Sequence, residues 1–279
     1  MKIIRSIKDM QSFRCDLKGS VGLVPTMGYL HQGHLALVNE SKKNNDFTIV
    51  SIFVNPTQFG PKEDFAKYPR DEQRDASMLE QAGVDAVFIP SASEMYPADF
   101  DSWIEVNGVT SGLEGAKREG HFRGVATVCN KLFNITSPTK VYFGQKDAQQ
   151  VLVVKKMATD LNMNAEVVVI PTVRENDGLA MSSRNAYLSF TERCAATVLY
   201  KALIKAREMY ATGEYNTKTI IATMTSILQA ESLARIDYVA IIDAVSLHEI
   251  ESIHSSALVS VAVFIGKTRL IDNIILGVE

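Results

Sequence analysis

Apolar positions in this chain alternate between two textures. Val21-Gly22-Leu23-Val24 is short and β-branched, and Leu35, Leu37 and Val38 then recur among polar residues, which predicts a strand followed by a helix from about Gly33. Thr48 to Val54 is apolar almost throughout, as expected of a strand covered on both faces. A helix is expected from about Asp71 to Ala82 and a strand over Asp85 to Pro90. The alternation resumes with a helix from Gly124 to Ile135 and a short strand at Val141-Tyr142-Phe143-Gly144. Val151, Val154, Ala158 and Leu161 then mark one helix face before the strand Ala165 to Ile170, which Pro171 closes. Strands alternating with helices predict a parallel sheet with right-handed crossovers, an α/β fold.

From Pro171 to Arg184 the texture turns polar around Asn176-Asp177-Gly178, and a domain boundary is expected there, dividing residues 1–172 from 173–279. Ser189-Phe190-Thr191-Glu192 has the capping-box pattern ahead of one strong helix with Val198, Ala202, Ala206 and Met209 on its apolar face, ended by Gly213. A second helix from about Thr217 to Glu231 precedes three β-rich runs, the last two joined at Gly266-Lys267 as a hairpin. The tail therefore reads as a small α+β domain with an antiparallel sheet.

Composition narrows the function classes. The 279 residues carry 29 Lys plus Arg against 32 Asp plus Glu, a net charge of −3, which argues against nucleic acid and anionic membranes as partners. Cys15, Cys129 and Cys194 lack metal or redox spacing and fit free thiols in a reducing cytoplasm. Arg5 and Lys8 interrupt the first apolar run, so neither a signal peptide nor a membrane span is expected at the start. Gly266-Lys267-Thr268 imitates the end of a Walker A loop, but Val261 stands where that loop needs glycine, and no G-x-G-x-x-G occurs.

The densest candidate chemistry is Pro25-Thr26-Met27-Gly28-Tyr29-Leu30-His31-Gln32-Gly33-His34, with two imidazoles three residues apart at the mouth of a helix. A helix N-terminus offers N–H groups and partial positive charge to phosphate, and Gly28 and Gly33 allow close backbone approach. The His-x-Gly-His pattern is the phosphate-side signature of class I aminoacyl-tRNA synthetase-like and nucleotidylyltransferase folds. An incidental surface pair or half a metal site are the alternatives; no third ligand stands nearby in sequence. Asn55 and Gln58 lie just past a buried strand, where ligands collect in parallel sheets, although such amides also serve their own loops. Lys146 and Asp147 begin a helix as a phosphate-binding cation and a cap or ribose partner, or else as a solvated pair, with Gln149 and Gln150 one turn on. Met181-Ser182-Ser183-Arg184 can wrap terminal phosphates or serve as a linker. Gly120-His121-Phe122-Arg123-Gly124, preceded by Arg118, reads as a basic loop that either touches substrate or merely turns the chain.

Taken together, PTMGYLHQGH, VSIFVNPTQFG, KYPRDEQRD, GHFRGV, FGQKDAQQ, PTVRENDGLAMSSRNAYLS and TRLIDN make the chain similar to the pantothenate synthetase (pantoate:β-alanine ligase) family of coenzyme A biosynthesis, in family order over nearly the whole length. The resemblance implies a Rossmann-like N-terminal domain, a smaller C-terminal lid, a homodimer, ATP and Mg2+. It places ATP on Met27, Gly28, Tyr29, Leu30, His31, Gln32, Gly33 and His34, on Gly144, Gln145, Lys146 and Asp147, and on Val173, Met181, Ser182, Ser183 and Arg184. It further puts both pantoate and β-alanine on Gln58, pantoate on Gln150, and Asp75 near the magnesium. His34 takes the place of the proton donor, with His31, Lys146 and Arg184 as further catalytic groups. Gln32 and Gln145 replace residues often acidic in the family, and Glu119 replaces a proline, leaving Arg118 without an assigned role. The implied reaction is ATP-dependent ligation through pantoyl adenylate. Rival readings are a tRNA-charging or nucleotidylyl-transferring relative and a silent nucleotide-binding regulator.

Overall fold

The computed structural model describes residues 1–61 and 63–277, which group into two compact units. One comprises Met1–Gln145 and Gln149–Pro171; the other comprises Lys146–Ala148 and the described chain from Thr172 onward. The first unit is built from β1 (Lys2–Ile4), α1 (Ile7–Asp16), β2 (Val21–Thr26), α2 (Gln32–Asn44), β3 (Phe47–Ile52), α3 (Glu72–Gln81), β4 (Ala86–Phe88), α4 (Ala92–Met95), α5 (Leu113–Lys117), α6 (His121–Thr136), β5 (Lys140–Gly144), nearly all of α7 (Ala148–Asp160) and β6 (Glu166–Ile170).

Among the described residues its six strands pair in parallel in the order β1-β4-β3-β2-β5-β6. Both faces are covered, which explains the continuous apolar texture of the strands. Leu23, Ile49, Phe88 and Val141 pack with Met10 of α1, Val125 of α6 and Val154 of α7, while Val24, Val50, Val87 and Tyr142 pack with Val38 of α2 and Leu79 of α3. Gly22 lets α2 lie flat on β2, since a Cβ there would meet the Ser41 hydroxyl at 2.1 Å. Strand order reverses between β2 and β5, the crevice where open α/β sheets hold ligands, and the segments following these two strands are Met27 to His34 and Gly144-Gln145.

The second unit holds α8 (Phe190–Ala195), α9 (Val198–Ala211), α10 (Thr217–Gln229), β7 (Ala234–Asp243), β8 (Ala257–Ile265) and β9 (Thr268–Leu276). Its strands form an antiparallel sheet in the order β7-β8-β9, and the expected two-residue hairpin pairs Ile265 with Thr268. Leu199, Leu203, Ile220 and Met224 of its helices bury against Val259, Val261 and Val263.

Residues 2–16 form β1 and α1, which the sequence pattern leaves unannounced, since a three-residue strand and a helix burying only Met10 leave little periodicity to detect. Two expectations are corrected. The single helix expected after the capping box is two, α8 and α9, because the Thr197 hydroxyl donates to the Cys194 carbonyl at 2.8 Å and competes with the helical ladder. Gly120 to Gly124 is no loop. Gly120, at φ 75°, turns the chain, and His121, Phe122 and Arg123 form the first turn of α6.

Candidate active site

Beyond β2 the backbone turns through left-handed geometry at Gly28 (φ 82°) and Tyr29 (φ 50°). A Cβ on Gly28 would meet Ile52 at 2.9 Å, so glycine is required by both conformation and space. Asp75 holds this turn from α3: its carboxylate accepts from the Tyr29 and Leu30 N–H groups, both at 2.7 Å, and the Arg74 guanidinium donates to the Leu30 carbonyl at 3.0 Å. Burial pushes the Asp75 carboxyl above the usual carboxylate range, with the two amides and then Arg74 pulling it back. Asp75, which the resemblance sets near the magnesium, thus shapes the segment that leads to His31.

His31 caps α2 through Nδ1, which accepts from the Gly33 N–H at 3.1 Å, and His34 Nδ1 accepts from the His31 N–H at 3.3 Å. A backbone N–H can only donate, so both Nδ1 atoms are lone-pair acceptors and each neutral ring carries its proton on Nε2. The rings lie 4.0 Å apart, centroid to centroid. Two amides that the sequence reading offered to phosphate are therefore taken by the imidazoles. What the rings can donate is the Nε2–H, so they act as hydrogen-bond donors rather than cations.

After β3, Pro56–Gln58 form a single 3₁₀ turn capped by Asn55, whose Oδ1 accepts from Thr57 and from the Tyr96 hydroxyl at 2.9 Å. Asn55 Nδ2 donates to Gln58 Oε1 at 3.1 Å and to the Gly124 carbonyl at 3.2 Å. Gln58 Nε2 then reaches Met27 Sδ at 3.3 Å, which brings the two segments past β2 and β3 together. Asn55, read with Gln58 as either a ligand-binding or a loop amide, is the residue that orients Gln58.

His121, at the start of α6, is buried; its Nδ1 lies 2.8 Å from the Gln58 carbonyl and its Nε2 2.9 Å from Arg118 Nη1. Burial first, then the Arg118 charge, pull its pKa down to about 4, while the Gln58 carbonyl, Glu63 and Glu114 oppose that shift. Because the folded value lies below the ordinary 6.5, the unfolded chain takes up the proton first, so this contribution to stability is full above about pH 6.5 and is lost as pH falls through about 4. His121→Phe is expected to flatten that part of the acid limb by up to about 3 kcal/mol in urea titrations. An acid limb identical in wild type and variant counts against this account.

Gln149 and Gln150 separate in role. Gln149 is buried, bonding the Glu114 N–H and the Val109 and Gly112 carbonyls at 2.9 Å each, whereas Gln150 is half-buried. Gly144 ends β5 and Gln145 follows it in the first unit.

Lys146, in the second unit, has its carbonyl held by Asn273 Nδ2 at 2.8 Å, and its Nζ lies 3.8 Å from Asp147. In the same unit the Met181 N–H donates to the Val173 carbonyl at 3.0 Å, and the Ser182 hydroxyl caps a 3₁₀ turn by accepting from the Arg184 N–H at 3.2 Å. Arg174, at the base of this loop, forms a two-point ion pair with buried Asp272 (2.6 and 3.0 Å). The motif TRLIDN therefore contributes through Asp272 and Asn273, which anchor two segments that the sequence reading assigned to ATP. Among the described residues no group of three or more His, Cys, Asp and Glu is placed to hold a metal, and no helix is long and apolar enough to cross a membrane.

A family model described as Pantoate-beta-alanine ligase matches residues 2–275. The chain is 58% identical over 268 residues to a pantothenate synthetase of Dehalococcoides mccartyi, covering 96% of this chain and 100% of that one. It is 55% identical to that of Roseiflexus castenholzii, covering 99% of each. Among solved structures, the pantothenate synthetase of Thermus thermophilus matches with TM-score 0.94 at 46% identity over 98% of this chain and 99% of that one. The pantoate-beta-alanine ligase of Francisella tularensis, complexed with beta-gamma ATP and beta-alanine, matches with TM-score 0.81 at 36% identity, covering 98% of this chain and 97% of that one.

Proposed function

Since the chain belongs to the pantoate-beta-alanine ligase family, we propose how its residues divide the work of joining (R)-pantoate to β-alanine. The reaction uses ATP and passes through pantoyl adenylate. A pantoate carboxylate oxygen bonds to the α-phosphorus as the bond to pyrophosphate breaks; the β-alanine nitrogen then bonds to the acyl carbon, loses a proton and expels AMP. A carboxylate approaching a polyanion is repelled, so positioned donors and cations carry most of the effect.

His31 and His34 donate hydrogen bonds from Nε2 to the phosphates, His34 standing where the resemblance puts the family's proton donor, and Lys146 and Arg184 supply positive charge to the α-phosphate and the departing pyrophosphate. Met27 to His34, Gly144 to Asp147, Val173 and Met181 to Arg184 bind ATP. Gln58 holds pantoate and β-alanine, and Gln150 holds pantoate. The observation that carries this division is the capping of α2 by both imidazoles, which commits their Nδ1 atoms to the backbone and leaves each ring's proton on Nε2, the atom that donates. Magnesium, when it enters with ATP, neutralises phosphate charge. Asp75, which the resemblance sets near the magnesium, is the residue of this chain that would hold it. A nucleotide- and pantoate-binding role for the Rossmann-like domain 1–172, a lid role for the C-terminal domain 173–279, a homodimer, and action in the cytoplasm complete the reading.

Pyrophosphate exchange into ATP tests it. Exchange is expected to require pantoate but not β-alanine, and AMP to appear with all three substrates. Exchange without pantoate would point to the nucleotidylyl-transferring relative, and ATP binding without AMP release to the silent regulator.

A further inference from the structure

The chain Glu63–Arg118–His121 ends on the backbone of Gln58, and nothing in the ligation chemistry itself calls for it. We propose that His121 is a positioning residue for the two acid substrates: its ring holds the Gln58 carbonyl and so sets the angle at which the Gln58 amide meets them. The proposal rests on the assignment of Gln58 to pantoate and β-alanine.

The geometry fixes the ring's protons. The Gln58 carbonyl can only accept, so Nδ1, 2.8 Å away, donates; a guanidinium can only donate, so Nε2, 2.9 Å from Arg118, accepts. His121 is therefore a neutral Nδ1–H tautomer, the opposite of His31 and His34. Burial pushes Glu63 up, but hydrogen bonds and charge from Arg118 outweigh it and hold the carboxylate below its usual range; the pair is two-pronged, at 2.6 and 2.8 Å. Glu114, 3.8 Å from Arg118, adds a second carboxylate to the same guanidinium. The neutral ring is thus oriented by a paired cation, as a second residue orients a metal-binding or catalytic histidine elsewhere.

Gln58 needs such a hold. It ends a 3₁₀ turn of three residues, too short to satisfy its own last carbonyl from a following turn. The close seat of α6 makes the hold reachable: a Cβ on Gly124 would meet the Thr57 carbonyl at 2.4 Å and the Gln58 nitrogen at 2.7 Å. With Asn55 fixing the Gln58 side chain and His121 its backbone, the amide has little angular freedom. Glu119 is exposed and leaves Arg118 in this chain of contacts.

The test compares His121→Phe, which keeps a ring and removes both bonds, with His121→Asn, whose amide nitrogen overlays Nδ1 and restores the bond to Gln58. In the phenylalanine variant kcat/KM for pantoate and β-alanine is expected to fall by about 10- to 100-fold while the KM for ATP stays unchanged, and asparagine should recover most of the loss. Pantoate and β-alanine constants at wild-type values in His121→Phe overturn the proposal, as does asparagine performing no better than phenylalanine. If His121→Phe does not fold, Glu63→Gln loosens Arg118 from the surface side. It should raise the pantoate KM by roughly two- to fivefold and spare ATP, and an unchanged value overturns the proposal. Gln58→Ala run in parallel separates the two failures. If it leaves both acids unaffected, the assignment of Gln58 is wrong and the proposal falls with it; if it impairs them while His121→Phe does not, only the positioning role falls.

Discussion

Alanine at Lys146 or at His34 is expected to leave pantoate affinity near normal and to slow adenylate formation by about 10²- to 10³-fold, the scale of losing one preorganised donor to a developing oxyanion. The asymmetry follows from where each group acts. Pantoate is assigned to Gln58 and Gln150, whereas Lys146 and His34 are assigned to charge that grows only as the carboxylate oxygen closes on the α-phosphorus. Interactions realised in that transition state and not in the ground state move kcat and spare binding. His34→Ala carries a second effect, since His34 Nδ1 also accepts the His31 N–H, and loss of a cap costs about 1 kcal/mol. His34→Asn separates the two: its carbonyl can take over the cap while the Nε2 donor is gone, so stability should return and the rate should not. Single-turnover adenylate formation, with calorimetric pantoate binding alongside, reads both quantities. Near-wild-type adenylate formation in Lys146→Ala or His34→Asn refutes the assigned roles.

The sequence was legible where a local pattern and the tertiary environment agree. Alternating apolar runs made β2, α2, β3, α3, β5 and β6 readable because each strand is covered on both faces and each helix on one. The glycines around His121 suggested a loop, yet only Gly120 has the left-handed backbone of a turn; Gly124 is small because the Thr57 carbonyl lies against it. Which member of a repeated pair matters was also hidden. Gln149 and Gln150 look alike in one dimension, but helical geometry buries the first and leaves the second half-open. Proton positions were out of reach, since three neutral histidines acquire opposite tautomers from backbone groups two, three and 63 residues away. The link from Asn273 to Lys146 spans 127 residues and no periodicity announces it.

Removing the Asp272 carboxylate is expected to destabilise the second unit by about 3–5 kcal/mol, the scale for breaking a buried ion pair from one side. Asp272→Ala leaves the Arg174 guanidinium, only 16% exposed, with the Gly178 carbonyl at 3.1 Å, a weak contact to the Asn273 carbonyl at 3.4 Å and the face of Tyr200 at 4.2 Å. None of these neutralises its charge. Gly178 cannot be filled to compensate, because a Cβ there would meet Tyr200 at 1.9 Å. Asp272 also accepts from the Asn273 N–H at 2.8 Å, so the same substitution frees the residue that holds the Lys146 carbonyl. The double variant Arg174→Met with Asp272→Leu removes both charges at similar volume and should recover most of the stability, since the desolvation that made the lone guanidinium costly is gone. Thermal and urea unfolding of Arg174→Met, Asp272→Leu and the double variant form a cycle whose coupling term should exceed about 1 kcal/mol. Additive effects would mean that the pair is solvated and that Arg174 does not anchor the Val173–Arg184 segment. With a large coupling, the KM for ATP should rise in Asp272→Ala and not for pantoate, because Lys146 and the Ser182-Ser183-Arg184 turn are the groups that lose their anchor.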